Sequence, residues 1–181
     1  MNRTMSMEPS QSSLAAMRVV VVAALSATTM LFASLVSAYF VRRSFTDWAV
    51  PKDELWPWVL LSLAIGVSVG LEIALRASVE GKRIALQGAA LLTASYLVGA
   101  LGVIGSMVTG PGGLHTPHRA FVALLLGIHV IHSILGGVFT GALLREPAEA
   151  LPSDRVFLAR LVTHFLAGLV LFIVVLLFVV R

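Results

Sequence analysis

Long apolar runs, separated by short polar segments, dominate the pattern of the chain. Five runs contain few or no Lys, Arg, Asp or Glu residues, and each is long enough to cross a hydrocarbon core of roughly 30 Å as a helix. The runs are about 19–41, 55–75, 84–108, 120–144 and 156–180. Because the bilayer requires every backbone polar group to be paired internally, the pattern predicts an all-α polytopic bundle of five transmembrane helices. Residues 1–18 are predicted to form an N-terminal tail.

Composition supports a membrane location. Of the 181 residues, 58% are apolar and 12% are charged, whereas an ordinary globular protein has about 45–50% and about 25%. The chain contains no Cys, which excludes disulfides, thiolate metal sites, iron–sulfur clusters and cysteine catalysis. The Lys and Arg residues stand singly or in pairs at the ends of apolar runs, so we expect no nucleic-acid partner.

The distribution of Lys and Arg predicts the orientation of the helices. Of the 13 Lys and Arg residues, eight lie in the tail, in the second and fourth connections and at the start of the fifth run, and five lie on the other side. This excess predicts a cytoplasmic N-terminus and, with five helices, a C-terminus outside. Trp48, Trp56 and Trp58 are expected at one membrane interface. The first run exceeds the roughly 7–15 apolar residues of a signal peptide, which predicts a retained helix.

Small residues within the runs indicate close packing between helices. All seven prolines lie in the tail, in connections or at a helix start, so no broken helix is expected. Glycines four residues apart or adjacent allow two helix backbones to approach. The predicted packing positions are Gly66, Gly70, Gly136, Gly137 and Gly141.

Three histidines are the main candidates for chemistry within the membrane. His129 and His132 are three residues apart and are expected to share a helix face, and the helical rise places His132 and His164 near the midplane. Neutral imidazoles could bind zinc, copper or a haem. Alternatively, they hydrogen-bond between helices and fix the packing, and the spacing favours this second interpretation.

Two further polar features have simpler interpretations. Glu72 precedes Arg76 by four residues, which predicts an ion pair at a helix end, with a proton-relay carboxylate as the alternative. The segment His115-Thr116-Pro117-His118 follows a glycine-rich connection and predicts an exposed polar turn rather than a surface metal site.

Motifs in several runs carry a resemblance to a known family. The pattern His129-x-x-His132-x-x-x-Gly136 lies in the fourth run, and Thr163-His164-Phe165 opens the fifth. An Ala-Tyr pair that ends in Tyr39 lies near the end of the first run, and residues 55–74 begin with Leu-Trp-Pro. In order and spacing these motifs resemble subunit III of the haem-copper terminal oxidases, the family of cytochrome c oxidase subunit III, in its five-helix bacterial form. The resemblance covers about residues 17–181.

The resemblance implies a subunit without redox centres or an active site of its own. Such a subunit packs against oxidase subunits I and II, which hold the haem and copper, binds phospholipid between its helices, and supports proton-coupled oxygen reduction in aerobic electron transport. It implies a bacterial inner-membrane location. His129, His132, His164, Tyr39 and Thr28 are then expected to be interhelical polar residues rather than ligands. The alternatives are an accessory subunit of a nitric oxide reductase, and a small haem-binding or metal-binding membrane protein that uses the three histidines.

The chain departs from the family pattern at three positions. Thr28 occupies the place of a membrane-buried glutamate, Thr163 replaces a tryptophan, and Ala167 replaces an aspartate. The missing carboxylate predicts a mainly structural role, without a proton path in this chain.

Overall fold

The chain folds into a bundle of five long helices. The computed structural model describes residues 9–45, 48, 55–76, 79–110, 113–143 and 153–179. The helices are α1 (Pro9–Arg43), α2 (Trp56–Arg76), α3 (Val79–Thr109), α4 (Pro117–Leu143) and α5 (Ser153–Val174). A 3₁₀ turn at Gly113–His115 precedes α4, and a π-helical turn at Val175–Val179 extends α5. These residues include no strand, and all five helices are long and apolar enough to cross a membrane. The predicted all-α polytopic bundle is confirmed.

Four of the five helices begin earlier than the apolar runs, α2 being the exception. α1 starts at Pro9 rather than near residue 19, so the second half of the predicted tail over residues 1–18 is helical. α3 likewise starts at Val79 rather than near residue 84. The first charged residue marks the edge of the hydrocarbon core, whereas a helix can continue beyond that edge as long as its backbone hydrogen bonds continue. Arg18, taken as the boundary of the first run, lies inside α1 and forms an ion pair with Asp154 of α5.

Side-chain contacts show how the helices are arranged along the bundle. α1 and α5 run in the same direction, because Arg18 pairs with Asp154 near the starts of both helices and Tyr39 bonds to Leu176 near their ends. We call the end where α1 and α5 begin the N-terminal end of the bundle, and the opposite end the C-terminal end. α2 and α4 run against α5, since the end of α2 and the second half of α4 contact the first half of α5.

Two clusters of buried apolar side chains fill the bundle. The larger cluster extends from the middle to the C-terminal end and includes Phe32, Leu60, Leu125 and Ile173. The smaller cluster, at the N-terminal end, consists of Val21, Leu71, Leu158, Ala159 and Val162. Large apolar side chains also cover the outside of every helix. An apolar outer surface is what a bilayer requires of a polytopic protein.

Two of the predicted packing glycines bring α2 and α3 together. A Cβ placed on Gly70 would lie 3.4 Å from the Cβ of Ala89, and one on Gly66 would lie 3.5 Å from Cδ1 of Leu92. These are ordinary contact distances. At Gly70 the two backbones approach with only the Ala89 methyl group between them, and at Gly66 the Leu92 side chain packs against the glycine. The packing prediction is confirmed for both glycines.

The three glycines predicted to pack on α4 behave differently from one another. A Cβ on Gly136 would lie 2.5 Å from Cδ1 of Leu166 and 3.1 Å from Cγ1 of Val162, so α4 and α5 meet here. A Cβ on Gly137 or Gly141 would meet no neighbouring atom within 4 Å among the described residues. The packing prediction is confirmed for Gly136 and is wrong for Gly137 and Gly141, because both glycines face a cavity rather than a helix.

The substitution Gly136→Val is expected to separate α4 from α5 and to destabilise the isolated protein. Overpacking of a tight contact costs about 1–3 kcal/mol, and Leu166 and Val162 must both move to admit the new side chain. Gly137→Val is the matched control, because it adds the same atoms one residue later, where space is open. Unfolding by a denaturing detergent measures both variants, and equal stabilities would contradict the assigned contact.

Candidate functional site

His129 joins three helices near the middle of the bundle. Its side chain is 2% exposed; its Nε2 lies 2.9 Å from the carbonyl oxygen of Leu166 on α5, and its Nδ1 lies 2.7 Å from the hydroxyl of Tyr96 on α3. A carbonyl only accepts hydrogen bonds, so Nε2 carries the proton and donates it, while Nδ1 accepts from the tyrosine hydroxyl. His129 is thus a neutral imidazole with both nitrogens paired across helices, as the interhelical prediction requires. Ser133 Oγ makes a longer contact of 3.2 Å with the same Nδ1.

His132 points elsewhere. Its Nδ1 donates to the carbonyl oxygen of Ile128, at 2.8 Å, within α4 itself. The ring meets Phe32 of α1 edge to face, with 6.4 Å between ring centroids. The prediction of an interhelical hydrogen bond is wrong for His132, because its ring donates to a carbonyl oxygen in the preceding turn of its own helix. The contact it makes between helices is aromatic packing.

His164 bonds to α2 on the outer side of the bundle. Its Nδ1 lies 2.9 Å from Oγ of Ser68, and its Nε2 lies 3.2 Å from Oε1 of Glu72. Nε2 donates to the carboxylate. The histidine is therefore interhelical, as predicted, but 46% of its side chain is exposed.

The three histidines do not converge. Each has a different set of partners, and no group of three or more His, Cys, Asp or Glu side chains that could hold a metal ion occurs in the part of the chain that the structure describes. Both ring nitrogens of His129 are already used in hydrogen bonds within the protein. The arrangement opposes the alternative of a haem or metal site built from His129, His132 and His164.

Glu72 is the centre of a polar network between α2 and α5. Arg160 of α5 makes two contacts with its carboxylate, Nε to Oε1 at 2.8 Å and Nη2 to Oε2 at 3.0 Å. The Nη2 contact is a charge-assisted hydrogen bond, whereas the Nε contact is an ion pair without hydrogen-bond geometry. Arg76 is farther away, with Nε 3.6 Å from Oε2. The predicted pair with Arg76 is present, but sequence reasoning missed the closer partner, whose signal was a single charge within the fifth apolar run.

Tyr39 fastens α1 to the extension of α5 at the C-terminal end. Its ring is fully buried, and its hydroxyl donates to the carbonyl oxygen of Leu176 at 3.2 Å. Leu176 lies in the π-helical turn, where the carbonyl positions depart from the α-helical pattern. Phe121 and Trp48 pack edge to face on the tyrosine ring, at centroid distances of 6.0 and 5.2 Å. Tyr39 has the interhelical role predicted for it.

His118 is the fully buried residue that the sequence analysis placed in an exposed turn. α4 begins at Pro117, a residue that suits the first helical position, and this start turns His118 into the bundle. Its ring packs against Trp48 with a centroid distance of 5.5 Å. The prediction of exposure is wrong for His118 and correct for His115.

Thr28 does not reach another helix through its hydroxyl. Its Oγ1 donates to the carbonyl oxygen of Ala24, one turn earlier in α1, at 2.8 Å, and the residue is 6% exposed. Threonine hydroxyls in helices readily form this bond. The interhelical prediction is therefore wrong for Thr28.

Two apolar voids lie between the helices. The α3–α4 cavity, of about 270 Å³, is lined by residues of α2, α3, α4 and α5 and is open on one side, with Tyr96, His129 and Ser133 on its wall and the exposed Gly137 and Gly141 along its edge. The α1 cleft, of about 410 Å³, separates the first half of α1 from α4 and α5 and is lined largely by apolar side chains. The walls of both voids are predominantly apolar.

Tyr96→Phe is expected to destabilise the bundle, because it leaves Nδ1 of the buried His129 without its closest donor. Removing one partner of a buried hydrogen bond costs about 1–3 kcal/mol. Ser133→Ala is the control, since Nδ1 has one lone pair and the serine makes the longer contact. Detergent-induced unfolding measures both, and a larger loss for Ser133→Ala would reverse the assignment of the donor.

The Glu72–Arg160 pair is expected to show strong coupling. Glu72→Leu leaves Arg160 without its carboxylate and Arg160→Leu leaves the carboxylate without its main cation, whereas the double variant removes both charges together. The double variant should therefore unfold at a detergent concentration closer to that of the parent than either single variant does. Additive losses in this double-mutant cycle would show that the two side chains do not interact.

Comparisons with known proteins yield no match, whether with protein-family models, with curated proteins or with solved structures.

Proposed function

We propose that this chain is subunit III of a haem-copper respiratory terminal oxidase, a membrane subunit without redox centres that stabilises catalytic subunit I. The proposal starts from the order and spacing of the sequence motifs, in which His129-x-x-His132 and Thr163-His164-Phe165 fall on neighbouring helices. One observation in the bundle carries it further. Both ring nitrogens of His129, the buried histidine of the first motif, form hydrogen bonds to α3 and α5. This use of the imidazole supports a subunit that stabilises a complex rather than one that holds a redox centre.

The proposed place of the chain is the bacterial inner membrane, with the N-terminus in the cytoplasm and the C-terminus outside. The excess of Lys and Arg at the N-terminal end of the bundle supports this orientation. Trp48 in the first connection, together with Trp56 and Trp58 at the start of α2, suits the opposite, outer interface. The electron donor of the proposed complex is cytochrome c or a quinol, and it binds to other subunits.

Phospholipid is a proposed structural component of the subunit. The α3–α4 cavity and the α1 cleft have volumes of about 270 and 410 Å³ and predominantly apolar walls. Acyl chains match these walls chemically, whereas water would find few hydrogen-bond partners there.

Thr28 supports a mainly structural role. The position that carries a membrane-buried glutamate in the resembled family carries a hydroxyl here, and that hydroxyl is bonded to its own helix. A threonine hydroxyl cannot take up and release a proton as the glutamate carboxylate would at this position. Proton movement in the proposed complex is assigned to the partner subunits.

The proposal predicts that the chain, extracted from its native membrane in a mild detergent, co-purifies with a polytopic partner that binds haem and copper. Deleting the chain should lower the amount of assembled oxidase, measured from the haem absorbance of the membranes and from their oxygen consumption. The protein purified alone should show no Soret band. His129→Leu, by disturbing the three-helix junction, should lower the recovery of the complex.

Three outcomes would contradict the proposal. A stable chain that purifies without any oxidase partner would remove it. A Soret band in the isolated protein would favour the small haem protein instead. A haem-bearing partner that reduces nitric oxide rather than oxygen would identify an accessory subunit of a nitric oxide reductase.

A further inference from the structure

Polar and charged side chains occupy one outer face of the bundle, where α2 meets α5. We call this the charged face and define it by Ser68, Glu72, Arg160 and His164. His164 is 46% exposed, Arg160 39% and Glu72 24%, measured on the side chains. Among the three membrane histidines, His164 differs from His129, which is sealed within the bundle.

The charged face lies deep within the membrane-spanning segments. The span of α5 runs over Asp154–Leu177 and that of α2 over Trp56–Arg76. With a rise of about 1.5 Å per residue, His164 lies roughly 2 Å from the middle of its span and Arg160 roughly 8 Å. Glu72 lies roughly 9 Å from the middle of α2. All three are thus inside a hydrocarbon core whose half-thickness is about 15 Å.

Exposed charge at this depth is costly in contact with lipid chains. Ionisable residues in membrane spans almost always face protein or a water-filled space. The network within the chain satisfies the nitrogens of His164 and the carboxylate of Glu72, yet it leaves one side of Arg160 and His164 uncovered. We propose that a helix of a different membrane-spanning chain covers the charged face and presents a carboxylate to Arg160 and His164.

The balance of charge identifies the kind of partner. Among the side chains that the structure describes, Glu72 is the single acid of the network, and both of its oxygens already contact Arg160. Arg76 adds a second cation at the helix end, so the described side chains of the face carry a net positive charge. A second copy of this chain would place one positive face against another at low dielectric. An acidic group on a different chain provides the complementary charge.

The shape of α5 favours a helical partner. Phe157, His164 and Leu171 are spaced seven residues apart and form a stripe along one side of the helix, and Phe157 and Leu171 are 58% and 48% exposed. Gly168 follows His164 by four residues, and a Cβ there would meet nothing within 4 Å among the described residues. The stripe therefore offers an aromatic side chain, a polar group, a shallow depression and an aliphatic side chain to an approaching helix.

The test uses site-specific photocrosslinking of the full chain in its native membrane. A photoreactive phenylalanine analogue is placed at Phe157 or Leu171, on the α5 stripe that passes through the charged face at His164. As a control, it is placed at Val98, which is 71% exposed on α3. The two face positions should yield one discrete adduct with another membrane-spanning protein, and Val98 should yield none of it. Mass spectrometry of the adduct should locate the crosslink on a membrane span that contains Asp or Glu.

A charge-removal variant tests whether the polar contact matters. In the triple variant Glu72→Leu, Arg160→Leu and His164→Leu, the network is removed as a unit, so the isolated bundle should keep its fold, as checked by detergent unfolding. The adduct yield should fall about tenfold, the effect of losing an interaction of about 1.4 kcal/mol. An unchanged yield in a folded variant would overturn the proposed carboxylate contact. If the triple variant does not fold, Arg160→Lys serves instead, because it keeps the charge but loses the paired contacts, and it should lower the yield less than Arg160→Leu.

The other outcomes each decide the matter. An adduct of twice the mass of this chain would mean that a second copy covers the face, and adducts with lipid alone, or none, would mean that the face is uncovered; both overturn the proposal. Identifying the partner as the catalytic oxidase subunit rests on the proposed function, but the docking face does not. Capture of an acidic partner that belongs to no haem-bearing complex would refute the proposed function and leave the docking face standing. Co-purification of an oxidase with only lipid adducts at the face would refute the docking face and leave the proposed function standing.

Discussion

The hydrogen bonds of His129 are the interaction on which the arrangement of the bundle most depends. In a bilayer the burial of apolar side chains gives little preference for one helix arrangement over another, because lipid chains are as apolar as the side chains. Polar contacts and close backbone approach must then select the neighbours. His129 selects two at once, since it accepts from Tyr96 on α3 and donates to the backbone of Leu166 on α5. Gly136, two turns further along α4, lets the same pair of helices, α4 and α5, stay close.

The contrast between His129 and His164 shows how one residue type serves two purposes in the same membrane. His129 uses a single neutral tautomer and is sealed among apolar side chains. His164 lies at a comparable depth, but it is part of an ionic network on the outer surface. A sealed histidine satisfies the needs of its own chain. In the proposed assembly, another protein covers the half-exposed network. His129 therefore serves the packing of this chain, and His164 serves its contact with a partner.

Local patterns in the sequence predicted the fold well, but they did not predict the contacts between residues that are distant in the sequence. The length and hydropathy of the runs were sufficient to count the helices, because the bilayer thickness imposes both. The partner of Glu72 could not be read in the same way, since Arg160 is 88 residues away and only the adjacency of α2 and α5 unites them. The environment of His118 also depended on where α4 begins, which the charge of Arg119 obscured. Thr28 shows the opposite error, in which a polar residue expected to act between helices found an acceptor one turn away.

The apolar cleft beside α1 is another feature that a lipid bilayer permits. Polar contacts hold α1 to α5 near its two ends, through Arg18 with Asp154 and Tyr39 with Leu176, and Phe32 packs in the core between them. The α1 cleft lies beside this line of contacts. In water, such an apolar cleft would lose packing contacts and expose apolar surface. In a bilayer, an acyl chain that entered the cleft would restore those contacts. A bilayer thus tolerates an apolar cleft beside a helix that packs along one narrow side, as α1 does through Val21, Phe32 and Tyr39.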